Sequence, residues 1–211
     1  MMDFIFDGPK DAAATVLLAH GAGAAMDSSA MEAIANALSA QGLRVARFEF
    51  GYMAARRSGA RKPPPRADLL IPEYIEAVEA LGQGSLIIGG KSMGGRVASM
   101  VADELFAQKR IDGLLCLGYP FHPPKRPDNL RTDHLAELKT PTLICQGTRD
   151  PFGSREEVES YALSGSIEFL WLEDGDHDLK PRKKLSGLSA ADHMRSMAEA
   201  VMRFAARVHR A

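Results

Sequence analysis

Residues 90–94 read Gly-Lys-Ser-Met-Gly, a lone serine with a glycine two positions away on either side. An apolar run, Ser85 to Ile88, leads into this pentapeptide, and a helical pattern beginning GRVASMVADEL leaves it. A strand that turns at once into a helix must bring its backbones very close, and glycine is the residue that allows it. The serine hydroxyl then stands at the tip of a strained turn. The helix start beside it offers unpaired N–H groups and the positive end of a dipole to a developing negative charge. The competing reading is a glycine-rich turn that holds a phosphate, or nothing. The full phosphate-loop pattern G-x-x-x-x-G-K-[ST] is not present, and the dinucleotide pattern G-x-G-x-x-G does not fit either. Ser92 is therefore the candidate nucleophile.

A hydroxyl needs a base to take its proton and a third group to orient that base. In strand–turn–helix serine sites the acid comes next in the chain and the histidine last. The run PTLICQG ends in Thr-Arg-Asp, and SIEFLWLE ends in Asp-Gly-Asp-His-Asp. These place Asp150 and His177 at successive strand ends. Asp150 has the alternative of a plain turn residue before Pro151. His20, His122, His134, His193 and His209 compete for the role of base, but only His177 follows the strand after Asp150 within a short glycine-containing turn. A further strand runs into His20-Gly21-Ala22-Gly23. There the amide of Ala22, together with that of Met93, is the expected oxyanion donor. Gly21, Gly23, Gly90 and Gly94 shape the site, and His20 serves as a structural hydrogen-bonding group. HGAG, GKSMGG, TRD and DGDHD thus occur in order at four strand ends.

The elements that must position these pieces follow from periodicity. Short, nearly continuous apolar runs predict strands at 15–19, 44–48, 85–88, 113–117, 142–146 and 167–172, with a weaker one near 3–6. Helical spacing predicts helices over 28–41, 67–81, 94–108, 154–163 and 190–208. Their alternation predicts an α/β fold: a parallel sheet covered by helices on both faces. Two segments, 51–66 and 118–131, are rich in proline and basic residues and read as irregular loops. Each follows a strand, so both emerge at the carboxyl edge of the sheet, where open α/β sheets bind ligands.

With 211 residues, 45% of them apolar and 25% charged, and a net charge of -1, the chain fits one globular domain over 1–211. Nothing suggests disorder or a nucleic-acid coat, and no apolar run approaches the roughly 18 residues needed to cross a bilayer. The first ten residues lack the pattern of a secretory signal. Cys116 and Cys145 sit in apolar runs and read as buried reduced thiols. The cytoplasm is the expected compartment, and the oligomeric state is left open.

From Thr15 to Lys180 the chain resembles the α/β-hydrolases, in their small, lid-less, dienelactone-hydrolase-like branch. It is more closely similar to bacterial hydrolases whose domain is shared with animal testis-expressed hydrolase-like proteins. Beyond the serine, acid and histidine, the stretches FEFGYMAARR and GYPFHPPKRPDNLRTDHL carry the resemblance. It implies a three-layer α/β-hydrolase fold with a mostly parallel sheet and no large cap domain. It also implies ester or thioester cleavage without metal or cofactor. Dienelactone hydrolases proper use a cysteine where this chain has Ser92, so their lactone substrate is not carried over.

Basic residues crowd three loops: Arg56, Arg57, Arg61, Lys62 and Arg66; Lys125, Arg126 and Arg131; and Lys180, Arg182, Lys183 and Lys184. They form either an electropositive mouth for an anionic substrate or an ordinary solvated rim. Arg56, Arg57, Lys91 and His122 are the expected rim contacts with substrate. Two functions are in play. One is a serine hydrolase of a small soluble ester or thioester, without nucleic-acid or membrane partners. The other is an interaction module of the same fold that uses its basic loops.

Overall fold

A computed structural model describes residues 2–59 and 63–209. Seven strands form one sheet: β1 (Phe4–Asp7), β2 (Thr15–Ala19), β3 (Arg44–Phe48), β4 (Leu86–Lys91), β5 (Gly113–Leu117), β6 (Thr142–Gly147) and β7 (Ile167–Leu172). Their spatial order is β1-β3-β2-β4-β5-β6-β7. Only β1 runs antiparallel, pairing Phe4 with Phe48. All the other pairings are parallel. The helices are α1 (Ser29–Ser39), α2 (Gly51–Arg57), α3 (Ile71–Leu81), α4 (Met93–Ala107), α5 (Arg155–Val158), α6 (Lys183–Ser186) and α7 (Ala190–Val208).

The sheet is buried on both faces, which is why its strands read as apolar runs rather than alternations. Along β2, Leu17 and Ala19 face the core beneath α3 and α4, where Tyr74, Val78, Val97 and Val101 pack. Val16 and Leu18 face the opposite core, filled by Ile34 and Leu38 of α1 and by Met197 and Val201 of α7. This is the α/β architecture that the alternation implied, a mostly parallel sheet with helices on both faces.

The strand order decides where a site can form. β2 lies between β3 and β4. The chain therefore leaves β2 toward one edge of the sheet and later extends from β4 toward the other. A reversal of this kind opens a crevice beyond the carboxyl ends of the two central strands. The residues that follow β2 and β4 there are His20 and Ser92.

Several expected elements differ in detail. Residues 51–57 form a helix rather than a loop, because Tyr52 and Met53 bury there and Glu73 Oε2 accepts a 2.6 Å hydrogen bond from the Gly51 amide. The helix expected over 154–163 stops at Val158, its only buried residue, although a Ser154–Glu157 capping box starts it firmly. β4 runs three residues beyond its expected end, through Gly89, Gly90 and Lys91.

The turn after β4 is sterically closed. A Cβ on Gly90 would lie 2.4 Å from the Ala19 carbonyl oxygen and 2.7 Å from the Gly94 carbonyl carbon, and one on Gly94 would lie 2.4 Å from the same Ala19 oxygen. These contacts are with backbone that cannot swing aside. Overpacking of this kind costs about 1–3 kcal/mol or more. Gly90→Ala should therefore lower the midpoint of thermal unfolding by several degrees. Gly165→Ala, where an added Cβ would meet nothing within 4 Å beyond its chain neighbours, should leave it nearly unchanged; calorimetry on the two variants reads the difference.

Candidate active site

Ser92 occupies the single residue between β4 and α4 with φ 52° and ψ −116°, in the left-handed half of conformational space that non-glycine residues rarely enter. Its amide donates to Leu117 O at 2.9 Å, and its carbonyl accepts from the Arg96 amide at 3.0 Å. Both ends of the residue are thus fixed, and its side chain projects from the turn toward His177.

His177 Nε2 lies 2.8 Å from Ser92 Oγ, and His177 Nδ1 lies 2.9 and 3.1 Å from the two carboxyl oxygens of Asp150. A carboxylate can only accept, so Nδ1 carries the proton and Nε2 is left to accept from the serine hydroxyl. A hydroxyl, imidazole and carboxylate joined in this order can deprotonate the serine as it attacks a carbonyl. The structure brings together all three residues singled out in the sequence.

Asp150 is fully buried. Its Oδ1 accepts from the Phe152 amide at 2.9 Å, and its Oδ2 accepts from Gln146 Nε2 at 3.0 Å. Gln146 is itself inaccessible and committed on every side. Its two N–H groups are shared among Asp150 and the carbonyls of Tyr119 and Gly153, and its own carbonyl accepts from the Tyr119 amide at 2.7 Å. Sequence reasoning passed over this residue. Its signal was a lone amide in the otherwise apolar β6. Phe152 completes the support, with its ring stacked on the imidazole at 4.1 Å between centroids.

Lys91 is not on the rim. It is buried, and its Nζ donates to the His177 carbonyl at 2.6 Å and lies 3.5 Å from Asp178 Oδ1. Burial lowers its pKa, an effect opposed by Asp178 and Asp150. The ammonium ties the histidine loop to the serine turn. His122 is likewise buried, with Nδ1 donating to Pro123 O at 2.9 Å and Nε2 3.6 Å from Glu157. Arg57 is spent on Glu49 and Asp27 at 2.7–3.0 Å, and Arg56 lies over the Tyr52 ring. Neither arginine lines the two cavities beside Ser92, and His122 does not line them either. Arg66 and Arg182 pair with Asp68 and Asp174, so the rim is less positive than its count of basic residues implied. Arg61 and Lys62 lie outside the described residues.

His20 is buried between Phe50 and Tyr52. Its Nδ1 donates to the Gly21 carbonyl at 2.7 Å, and its Nε2 accepts from the Phe50 amide at 3.1 Å. Burial holds it neutral by lowering its pKa. The ring fixes the path of the 20–23 loop. A Cβ on Gly21 would make only ordinary contacts, 3.8 Å from Ser92 Cβ, and one on Gly23 would touch nothing. These two glycines therefore keep space open, whereas Gly90 and Gly94 permit backbone contact.

Ser92 stands between two cavities that share Ala22, Ser92 and Phe152. One, of about 390 Å³, is also lined by Met93, Arg96, Pro120 and Arg131. The other, of about 280 Å³, is lined by Gly21, Gly23, Ala24, Met31, Lys91 and His177. Among the described residues no group of three His, Cys, Asp or Glu side chains is placed to hold a metal ion, and no helix is long and apolar enough to cross a membrane.

The loop that carries His177 is anchored at Asp174. Its carboxylate accepts from the Arg182 amide at 2.6 Å and from the Arg182 guanidinium, with Arg149 Nε 3.4 Å away. The hydrogen bonds from Arg182 hold the Asp174 carboxyl at about 2, below its ordinary 3.8. A depressed carboxyl stabilises the fold fully above its unfolded value and loses that contribution as pH falls through the folded one. The stability of the protein relative to Asp174→Asn should therefore be constant above about pH 4 and should vanish toward about pH 2. Denaturant titrations across that window measure the difference.

Comparison with known proteins agrees with this fold. The family model described as an alpha/beta hydrolase domain matches residues 12–206. The rat (Rattus norvegicus) protein named "Putative protein-lysine deacylase ABHD14B" is 31% identical over 143 residues, which cover 66% of this chain and 63% of the relative's own length. Among solved structures, dienelactone hydrolase from Anabaena variabilis superposes with a TM-score of 0.73 at 19% identity, over 96% of this chain and 90% of that one. A serine hydrolase without lid from Xanthomonas campestris gives 0.65 at 16% identity, over 98% and 88%. The chain belongs to the alpha/beta hydrolase domain family.

Proposed function

We propose that this hydrolase is a single-domain serine esterase or thioesterase that cleaves a small soluble substrate through an acyl-enzyme intermediate. The observation that carries the reading is the unbroken run of hydrogen bonds from buried Asp150 through His177 to Ser92. Ser92 Oγ attacks the carbonyl carbon while His177 Nε2 takes its proton. Asp150 holds the ring in the required tautomer and stabilises the imidazolium. The carbonyl oxygen becomes an oxyanion held by the amides of Met93 and Ala22. Met93 is the first residue of α4, so its N–H has no acceptor within the helix. Ala22 faces the same cavities as Ser92. Collapse of the tetrahedral intermediate expels the alcohol or thiol, which receives the proton from His177. Water, deprotonated by the same imidazole, then frees the acid and restores Ser92. This route needs no metal or cofactor. Cys116 and Cys145 are buried free thiols, which suits the cytoplasm as its compartment.

A fluorophosphonate probe should label the protein at one site, and Ser92→Ala should abolish the labelling without loss of fold. Asp150→Asn should lower kcat toward short esters by roughly 10⁴-fold, as expected when the orienting carboxylate is neutralised. Absence of labelling in well-folded protein would defeat the reading in favour of an interaction module.

A further inference from the structure

The two cavities beside Ser92 differ in charge. Arg66, Asp68, Arg96 and Arg131 all line the larger one. Arg66 and Asp68 pair at 3.1 Å and neutralise each other. Arg96 and Arg131 have no carboxylate partner among the described residues. Arg96 Nε is buried without any hydrogen-bond acceptor, and Arg131 reaches only the Pro120 carbonyl, at 3.5 Å. Burial, and then the neighbouring Arg96 charge, press the Arg131 guanidinium below its ordinary pKa. Two partly buried like charges with unused donors cost stability unless an anion comes between them.

The placement of Arg96 is fixed by helix geometry. It lies four residues after Ser92, on the same face of α4, and helical side chains lean toward the N-terminus. Arg131 comes from the opposite wall. Its amide donates to Phe121 O at 2.8 Å, and its carbonyl accepts from Tyr119 Oη at 2.9 Å. Both arginines thus start from fixed backbone and line the same cavity as Ser92.

The position of His177 assigns the two sides. It lines the smaller cavity and not the larger. The proton it takes from Ser92 must pass to the departing oxygen or sulfur, so the leaving group lies on the histidine side. The acyl group then occupies the arginine cavity.

We propose that Arg96 and Arg131 bind a carboxylate at the far end of the substrate's acyl group. The preferred substrates are then mono-esters or mono-thioesters of short dicarboxylic acids. The inference rests on the serine-hydrolase reading. Ser92 Oγ first bonds to the acyl carbon as its proton passes to His177 and the carbonyl electron pair moves to oxygen. As that pair returns, the bond to the leaving oxygen or sulfur breaks and the leaving group departs with the proton from His177. Hydrolysis of the acyl-serine then releases the dicarboxylate. The terminal carboxylate is unchanged throughout and serves only for recognition. Paired guanidinium–carboxylate hydrogen bonds are among the stronger ones available to a protein.

The test compares p-nitrophenyl hemisuccinate and hemiglutarate with their methyl-capped counterparts. The wild-type protein should favour the free carboxylates in kcat/KM by roughly tenfold or more, a preference that weakens as salt rises. Arg96→Gln and Arg131→Gln should bring the ratio near unity, and Arg131→Lys should retain part of it. A measurement without variants supports these: glutarate should compete with a neutral ester where the uncharged diamide glutaramide does not. A wild-type ratio at or below unity, or equal inhibition by glutarate and glutaramide, overturns the carboxylate subsite while probe labelling of Ser92 still stands. Loss of both labelling and all ester turnover overturns the serine-hydrolase reading itself.

Discussion

The hydrogen bond between His177 Nε2 and Ser92 Oγ spans 85 residues of chain and measures 2.8 Å. It has no tolerance for error: a shift of one ångström at either end breaks it. Each loop that contributes to the site begins at the carboxyl end of a strand, and strands in register place those ends in fixed relation. Ala19 pairs with Gly90, Gly90 with Cys116, Leu117 with Cys145, and Gly147 with Leu172. The sheet is therefore the ruler that sets the distance between serine and imidazole, and the two apolar cores hold the ruler rigid.

Beyond the strand ends, polar contacts finish the positioning. Gln146 fixes Asp150 from below, Lys91 holds the His177 carbonyl, and Asp174 grips Arg182 across the same loop. Gln146 and Lys91 are buried, where a hydrogen bond counts for more than in water and a missing partner costs more, whereas the Arg182 side chain is half-exposed. The site consists of three side chains in a row, supported by a second layer of charge and amide that faces away from solvent. The closed glycine turn serves the same end, since it lets α4 start directly beneath Ser92.

Much of this was legible in the sequence because the physics that builds the sheet also leaves a local trace. Strands buried on both faces are apolar without interruption, so β2, β3, β5 and β7 read at their observed ends. The serine, acid and histidine could be picked out because each follows such a run within a few residues. What escaped notice depends on contacts distant in the chain. Arg57 looked like a rim charge until Asp27, 30 residues away, and Glu49 claimed it. Lys91 looked exposed because its residue type usually is, yet the strand carries it into the interior. Residues 51–57 gave too few turns for a helical period, and only tertiary burial of Tyr52 and Met53 reveals the helix. The role of Gln146 lies in four contacts that no spacing pattern predicts.

The most direct measurement of the central claim is the fate of the acyl group in the first turnover. A chromogenic ester mixed rapidly with protein and quenched in acid during the first turnover should leave its acyl group on the tryptic peptide Ser92–Arg96, whose bounds are set by Lys91 and Arg96. The account predicts that this peptide alone gains the acyl mass, in step with a burst of about one chromophore per chain. Rapid turnover with the peptide unmodified, or with the acyl group on another residue, would contradict it.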